Sequence, residues 1–149
     1  MQIYFKKLKA DAILPERATN ASAGTDLYAC LDAPVIIPAG ETVMIPLGIA
    51  AQPSEAEIAM LVFPRSGLAS KYGITLANAV GVVDSDYRGE WMIPLHNISQ
   101  EAFTVTHGMR IAQVIVTPVL FPEILETDHL NETQRGCAGF GSSGITTEL

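Results

Sequence analysis

Three stretches of this sequence carry the residue types that chemistry on a phosphorylated ligand needs. Pro64-Arg65-Ser66-Gly67-Leu68-Ala69 sets an arginine, a hydroxyl and a glycine where a proline ends a strand and a helix can begin. Guanidinium and free backbone N–H groups at such a point bind anions. Asn78 to Glu90 runs through Val82 and Val83 into Asp84-Ser85-Asp86-Tyr87-Arg88-Gly89. A carboxylate there, beside a polyphosphate, can orient and deprotonate a water. Arg135 to Gly144 holds four glycines, two serines, an arginine and Phe140. Glycines let backbone N–H groups approach an anion, serines add donors, arginine adds charge, and a lone ring offers a base a flat face.

Each stretch also has a plain structural explanation. Ser66 could simply cap a helix. Asn78 to Glu90 could be a hairpin with a polar turn. Its functional reading is a hairpin whose backbone edge recognises a base, with a carboxylate at its end and the Tyr87 ring against a sugar. The glycine-rich end is either a disordered tail or a clamp that orders on a ligand. Two single residues join the set. Asp26, in Ala23-Gly24-Thr25-Asp26-Leu27, stands near a strand start. Gln113, in Arg110-Ile111-Ala112-Gln113-Val114, interrupts an apolar strand and needs a partner if buried.

The elements that must position these residues read as β-strands. Val35 to Ile37, Thr42 to Ile45, Ile58 to Phe63, Phe103 to Val105 and Ile111 to Val116 are apolar or alternating runs bounded by turn residues. Trp91, Ile93 and Leu95 share one strand face. Prolines and glycines leave no room for long helices. One short helix is expected at Ser66 to Tyr72, ended by Gly73. About ten strands in 149 residues point to an all-β fold, a single jelly-roll-like barrel. Phe121 to Gln134 is more polar and reads as an extended arm. The expected organisation is one barrel domain with its arm over residues 1–134, followed by a mobile glycine-rich tail over 135–149.

Bulk properties narrow the partners. A net charge of −7 argues against a nucleic-acid polymer, whose phosphates need a basic face. A small phosphorylated ligand stays open, because screening over about 8 Å lets a few local arginines outweigh distant charge. No apolar run approaches the roughly 20 residues that span a bilayer, and Met1 to Lys7 lacks a secretory pattern. The expectation is a cytoplasmic protein without a membrane partner. Cys30 and Cys137 form no zinc-spaced motif with His96, His107 or His129. Two free thiols are expected rather than a structural zinc site.

Together, the segments around Asp26, Arg65, Asp84 and Gln113 and the glycine-rich end resemble, in order, the five motifs of the trimeric deoxyuridine triphosphatase (dUTPase) family. The resemblance covers nearly the whole chain. It implies hydrolysis of dUTP to dUMP and pyrophosphate, limiting uracil in DNA and supplying dUMP for dTMP synthesis. It implies Mg²⁺ held mainly by the substrate triphosphate and water, with no direct protein ligand. Asp84 would hold the attacking water as general base. Asn78 and the backbone at Gly81 and Val83 would read the uracil edge, and Tyr87 would pack under the deoxyribose. Arg65, Ser66, Gly67 and Gln113 would hold phosphates, with Asp26 a supporting carboxylate. Phe140 would stack on the uracil, while Arg135, Gly141, Ser142 and Ser143 would bind the γ-phosphate side. A homotrimer with shared sites is implied too.

The tail departs from the family pattern at two places. Ala138 replaces a glycine, which matters if that position needs positive φ. Ser143 replaces a threonine and keeps the hydroxyl. Cys137 stands at a variable position and would make a closed tail sensitive to thiol reagents. Two other functions fit the same scaffold, a dCTP deaminase and a non-catalytic nucleotide-binding regulator. The Asp84-to-Tyr87 segment and the complete tail favour neither. A zinc deaminase is excluded by the missing HxE and PCxxC signature.

Overall fold

The chain leaves each β-run at the proline, glycine or polar cluster that punctuates the sequence. In a computed structural model, which describes residues 1–139, this gives eleven strands and one helix among the described residues. The strands are β1 (Ile3–Lys7), β2 (Thr25–Tyr28), β3 (Val35–Ile37), β4 (Thr42–Pro46), β5 (Ile49–Pro53) and β6 (Ile58–Pro64). After the helix α1 (Ser66–Tyr72) come β7 (Ile74–Leu76), β8 (Gly81–Asp84), β9 (Met92–Asn97), β10 (Phe103–Val105) and β11 (Arg110–Pro118). The fold is mostly β with one short helix, as expected.

Two sheets matter for function. One runs β2-β11-β6-β8 and the other β4-β9-β7, with β1-β5 and β3-β10 as smaller pairs. Every strand pairing is antiparallel. β6 and β11 are the inner strands of the larger sheet, which is why their runs are apolar on both faces. Leu27, Ile37, Ile45, Ile49, Met60, Leu95 and Ile111 are all within 1% of complete burial and form the centre of the core. Trp91, Ile93 and Leu95 are buried on one face, as their spacing predicts. The Trp91 ring meets Phe5 edge-on at 5.8 Å, which ties β1 to that face.

The helix has the expected limits, but its cap differs. The strand runs to Pro64, and Arg65 alone makes the turn. Arg65, extended at φ −90°, ψ 127°, is therefore the N-cap residue, with no side-chain capping bond. Ser66 is already helical, so its hydroxyl does not cap. Gly73 closes the helix at φ 65°, where a left-handed backbone favours glycine.

A larger correction concerns Asn78 to Leu95. The sequence suggested one hairpin. Instead β8 pairs with β6, and β9 pairs with β4 and β7. The alternating Trp91-Ile93-Leu95 face draws β9 into the core, while Gly81–Asp84 alternates between half-buried and exposed and joins the other sheet at its edge.

After Val119, whose N–H donates to Glu57 O at 3.1 Å, the described chain forms no further strand or helix. Leu120, Phe121, Ile124, Leu125 and Leu130 are 72–93% exposed along it. No helix among the described residues is long and apolar enough to cross a membrane.

Candidate active site

Because β8 and β9 go to different sheets, they diverge, and a pocket of about 350 Å³ opens between them. Asn78, Gly81, Val82, Val83 and Tyr87 line one side, with Trp91, Ile93 and Pro94 opposite. As an edge strand, β8 keeps one row of backbone N–H and C=O groups unpaired by its own sheet. Such an edge can read the donor and acceptor pattern of a flat base. Its approach is strained. Val80 N–H donates to Asn78 O at 2.6 Å around Ala79, which has φ 61°. That is a γ-turn with a positive central φ, a rare conformation that clusters at functional sites. Among the described residues it is the one non-glycine with positive φ.

The turn from Asp84 to Glu90 is pinned from several directions. Tyr87 N–H donates to Asp84 O at 3.2 Å, and Arg88 Nη1 donates to Ser85 O at 2.7 Å and Tyr87 O at 3.0 Å. Glu90 Oε1 accepts the Gly48 N–H at 3.0 Å. The Tyr87 hydroxyl donates to Glu90 O at 3.0 Å, and its ring folds over Gly89, where a Cβ would collide with it. The ring is thereby fixed at the pocket wall, still 45% exposed on its other side. Trp91 is 2% exposed and its Nε1 has no hydrogen-bond partner among the described residues. Asp84 ends β8 exposed and lines neither this pocket nor the next.

The second pocket, about 460 Å³, gathers Gly24, Asp26, Arg65, Ser66, Gly67 and Gln113. These come from β2 and the residue just before it, the Arg65 turn with the start of α1, and β11; β2, β11 and β6 adjoin in one sheet. Asp26 is 8% exposed and anchors the cluster. Arg65 Nε reaches its Oδ1 at 2.9 Å, and Arg110 Nη1 donates to its Oδ2 at 3.3 Å. Both carboxylate oxygens of Asp26 are thus engaged by guanidinium groups. Gln113 Nε2 donates to Pro64 O at 3.0 Å, and its carboxamide lies against Gly24. A Cβ at Gly24 would collide with Gln113 Oε1.

The predicted residues therefore fall into two groups that line two different pockets. Asn78, Gly81, Val83 and Tyr87 share one pocket; Asp26, Arg65, Ser66, Gly67 and Gln113 share the other. Arg135 is exposed and its Nε donates to Ala138 O at 3.2 Å. Positive φ falls on Gly136, at 53°, and not on Ala138. The alanine therefore meets no left-handed strain in this conformation. Phe140, Gly141, Ser142 and Ser143 lie outside the described residues. Sequence reasoning did not single out Arg110, which shares Asp26 with Arg65, or Gly24, which makes room for Gln113. Their positions within the same two segments were the available signal.

The dUTPase family model matches residues 10–144. The deoxyuridine 5'-triphosphate nucleotidohydrolase of Desulfitobacterium hafniense (strain DSM 10664 / DCB-2) is 50% identical over 143 residues, covering 96% of this chain and 94% of that one. Its counterpart from Hahella chejuensis is 44% identical over 144 residues, covering 97% and 95%. Among solved structures, a dUTPase variant of Staphylococcus bacteriophage 80alpha with dUpNHpp superimposes with a TM-score of 0.86. It is 24% identical and the match covers 97% of this chain and 99% of that one. A variant of the dUTPase from phage phi11 of S. aureus, described with a structural Mg(II) ion, gives a TM-score of 0.79 at 20% identity, covering 89% and 100%. At these identities the two phage structures establish the fold.

Proposed function

This chain belongs to the dUTPase family and is a dUTP diphosphatase; from that premise we propose that its two pockets are the two halves of a site completed between subunits. The observation that carries the proposal is the division of the site residues. The uracil and deoxyribose fit the pocket with the open β8 edge. The triphosphate fits the pocket with Arg65, Ser66, Gly67 and Gln113. One bound nucleotide needs both. In a homotrimer, one chain's β8 edge would face a neighbour's phosphate pocket. The exposed apolar side chains from Leu120 to Leu130 would be covered by a neighbouring copy.

In this arrangement Asn78 and the backbone at Gly81 and Val83 read the uracil edge. A close backbone leaves no room for a thymine methyl. Tyr87, locked by Glu90 O and Gly89, packs under the deoxyribose and excludes a 2′-hydroxyl. Arg65 and Gln113 hold phosphate oxygens, with donors from Ser66 and Gly67. Asp26 orients Arg65 through Nε, and Arg110 O accepts from its Nη1 at 3.4 Å, which leaves Nη2 for the phosphates. Asp84, at the exposed end of β8, holds the attacking water in line with the α-phosphorus and accepts its proton. The new bond forms to that phosphorus. The bond to the bridging oxygen breaks, and pyrophosphate leaves.

The dUTPase family uses the Mg²⁺ complex of its nucleotide. We place the ion on the triphosphate and water rather than on a side chain, because both Asp26 oxygens are already engaged. Bound there, it would neutralise triphosphate charge and stabilise the departing pyrophosphate. Residues 135–149 act as a closing tail. Phe140 covers the uracil, and Arg135, Gly141, Ser142 and Ser143 bind the γ-phosphate side, excluding bulk water. The reaction would limit uracil incorporation into DNA and supply dUMP for dTMP synthesis from the cytoplasmic nucleotide pool.

Pyrophosphate release measured across dUTP, dTTP, dCTP and UTP with Mg²⁺ tests the specificity. Release from dUTP alone is expected. Comparable release from UTP or dTTP would remove Tyr87 or the β8 edge from these roles.

A further inference from the structure

Outside both pockets, the fold brings together three potential metal ligands from distant parts of the sequence. Asp11 lies in the turn after β1, Cys30 just beyond β2, and His107 in the turn before β11. Their ligand atoms all lie within 4.8 Å of one another. Cys30 Sγ stands 3.7 Å from Asp11 Oδ1, and His107 Nδ1 stands 3.8 Å from Asp11 Oδ2. We propose that Asp11, Cys30 and His107 form a binding site for a thiophilic divalent cation of the zinc class, separate from the nucleotide's Mg²⁺.

The two distances to the Asp11 carboxylate are near what such an ion needs, and the widest separation, within 4.8 Å, closes on binding. Bonds of about 2.0–2.3 Å to a tetrahedral centre place ligand atoms roughly 3.3–3.8 Å apart. The carboxylate already spans the gap between the sulfur and the imidazole. One soft ligand, one imidazole and one carboxylate select zinc or cobalt over magnesium, which demands oxygen. The frame is held before any ion arrives. Cys30 N–H donates to Pro46 O at 2.9 Å, Ala29 N–H to Met109 O at 2.9 Å and Gly108 N–H to Ala29 O at 2.8 Å. Gly48, at φ 64°, brings its backbone against the Cys30 sulfur, where a Cβ would lie 2.8 Å away. Access comes from the other side. The Cys30 thiol is buried, while the Asp11 and His107 side chains are 57% and 37% exposed. The fourth coordination position would face water.

Binding must displace one hydrogen bond and one proton. His107 Nδ1 accepts the Leu31 N–H at 3.2 Å, so its lone pair faces that amide, with Asp11 Oδ2 3.8 Å away. That lone pair would turn from the amide to the ion, at the cost of one hydrogen bond. Burial, and then the Asp11 carboxylate, hold the Cys30 thiol's pKa above its ordinary value. To ligate a cation the thiol must give up its S–H proton. On binding, that bond breaks, the sulfur keeps the electron pair for the metal, and the proton leaves to solvent. Lys9 sits near the cluster and would repel a cation, but Asp32 engages its ammonium at 2.8 and 2.9 Å. A bound ion would add a direct link between three turns that already meet through hydrogen bonds and core packing.

The test uses the full chain carrying Cys137→Ser, so that Cys30 is the sole thiol, and reads no enzyme activity. Titration with Co²⁺ should produce a near-ultraviolet thiolate-to-cobalt charge-transfer band that saturates at one ion per chain and is displaced by Zn²⁺. His107→Ala, which gives up one hydrogen bond from the Leu31 N–H and no core packing, should weaken Co²⁺ binding more than about tenfold. Equimolar Zn²⁺ should raise the Tm of the parent chain and not that of the His107→Ala chain. Absence of the band at stoichiometric Co²⁺ would overturn the site. So would the same band, stoichiometry and affinity in His107→Ala.

Discussion

Gly24→Ala tests how the phosphate pocket is built. Gly24 does not have positive φ, so an alanine adds no backbone strain. The whole effect comes from the new methyl. It would collide with Gln113 Oε1 and approach Gln113 Cδ at 3.1 Å and Cβ at 3.4 Å. Gln113 belongs to β11, paired on both sides, so its backbone cannot retreat. The carboxamide must turn away and give up its 3.0 Å bond to Pro64 O. That bond is worth about 1 kcal/mol net, and residual crowding adds about 1 kcal/mol. The predicted stability loss is therefore about 2 kcal/mol. Activity should fall further than stability implies, because the carboxamide leaves the proposed phosphate site. A lost hydrogen bond to a charged group costs about 1.5–3 kcal/mol, or roughly ten- to hundredfold in kcat/KM. Gln113→Ala supplies the control. Its remaining Cβ at 3.4 Å is an ordinary contact, so adding Gly24→Ala to it should cost less than about 0.5 kcal/mol. Urea denaturation of the four proteins at one concentration, with dUTP turnover, completes the cycle. Additive stabilities, or wild-type kcat/KM in Gly24→Ala, would refute the steric argument.

Other predictions are more direct. Asp84→Asn should keep nucleotide binding, read by equilibrium titration with a non-hydrolysable dUTP analogue, and lose about 100-fold or more in kcat. Near-normal turnover would remove Asp84 from its role. Deleting residues 135–149 should depress turnover strongly and leave Tm within a few degrees; a large fall in Tm would make the segment structural. Ala79→Gly should relieve the γ-turn. Relief of about 1–2 kcal/mol, less about 0.5–1 kcal/mol of glycine entropy, predicts a gain centred on roughly 0.75 kcal/mol, and at most about 1.5 kcal/mol, in chemical denaturation.

Much of this architecture was legible because burial imposes periodicity. Ile58 to Phe63 and Ile111 to Val116 read as strands because the inner strands of a sheet are apolar on both faces. The helix ended where Gly73 could adopt a left-handed backbone. β1, β5 and β7 were not identified. Gln2 to Lys7 alternates only weakly, and Ile49–Pro53 is mostly small residues, so their pairing depends on partners far along the chain. The hairpin expectation failed for the same reason. Val82-Val83 and Trp91 to Leu95 are locally compatible with each other, and only tertiary packing sends them to different sheets. For the site, residue types were readable locally, and their grouping came only from the family resemblance. Ordered motifs marked Arg65, Asp84 and Gln113. Nothing local could tell that Asp26, Arg65 and Gln113 share one pocket while Tyr87 and Asn78 share another. Arg110 was hidden because its function is a contact with Asp26 across β2 and β11.

The central claim is that one nucleotide uses the β8 edge of one chain and the phosphate pocket of another. Mixing two inactive variants tests it most directly. Asp84→Asn disables the first half and Arg65→Ala the second. Co-refolded in equal amounts, random assortment would leave about a quarter of sites with both halves intact. The account predicts dUTP turnover near that fraction of wild type, far above either variant alone. Turnover no greater than the average of the two variants, in demonstrably mixed oligomers, would mean that each chain builds its site by itself.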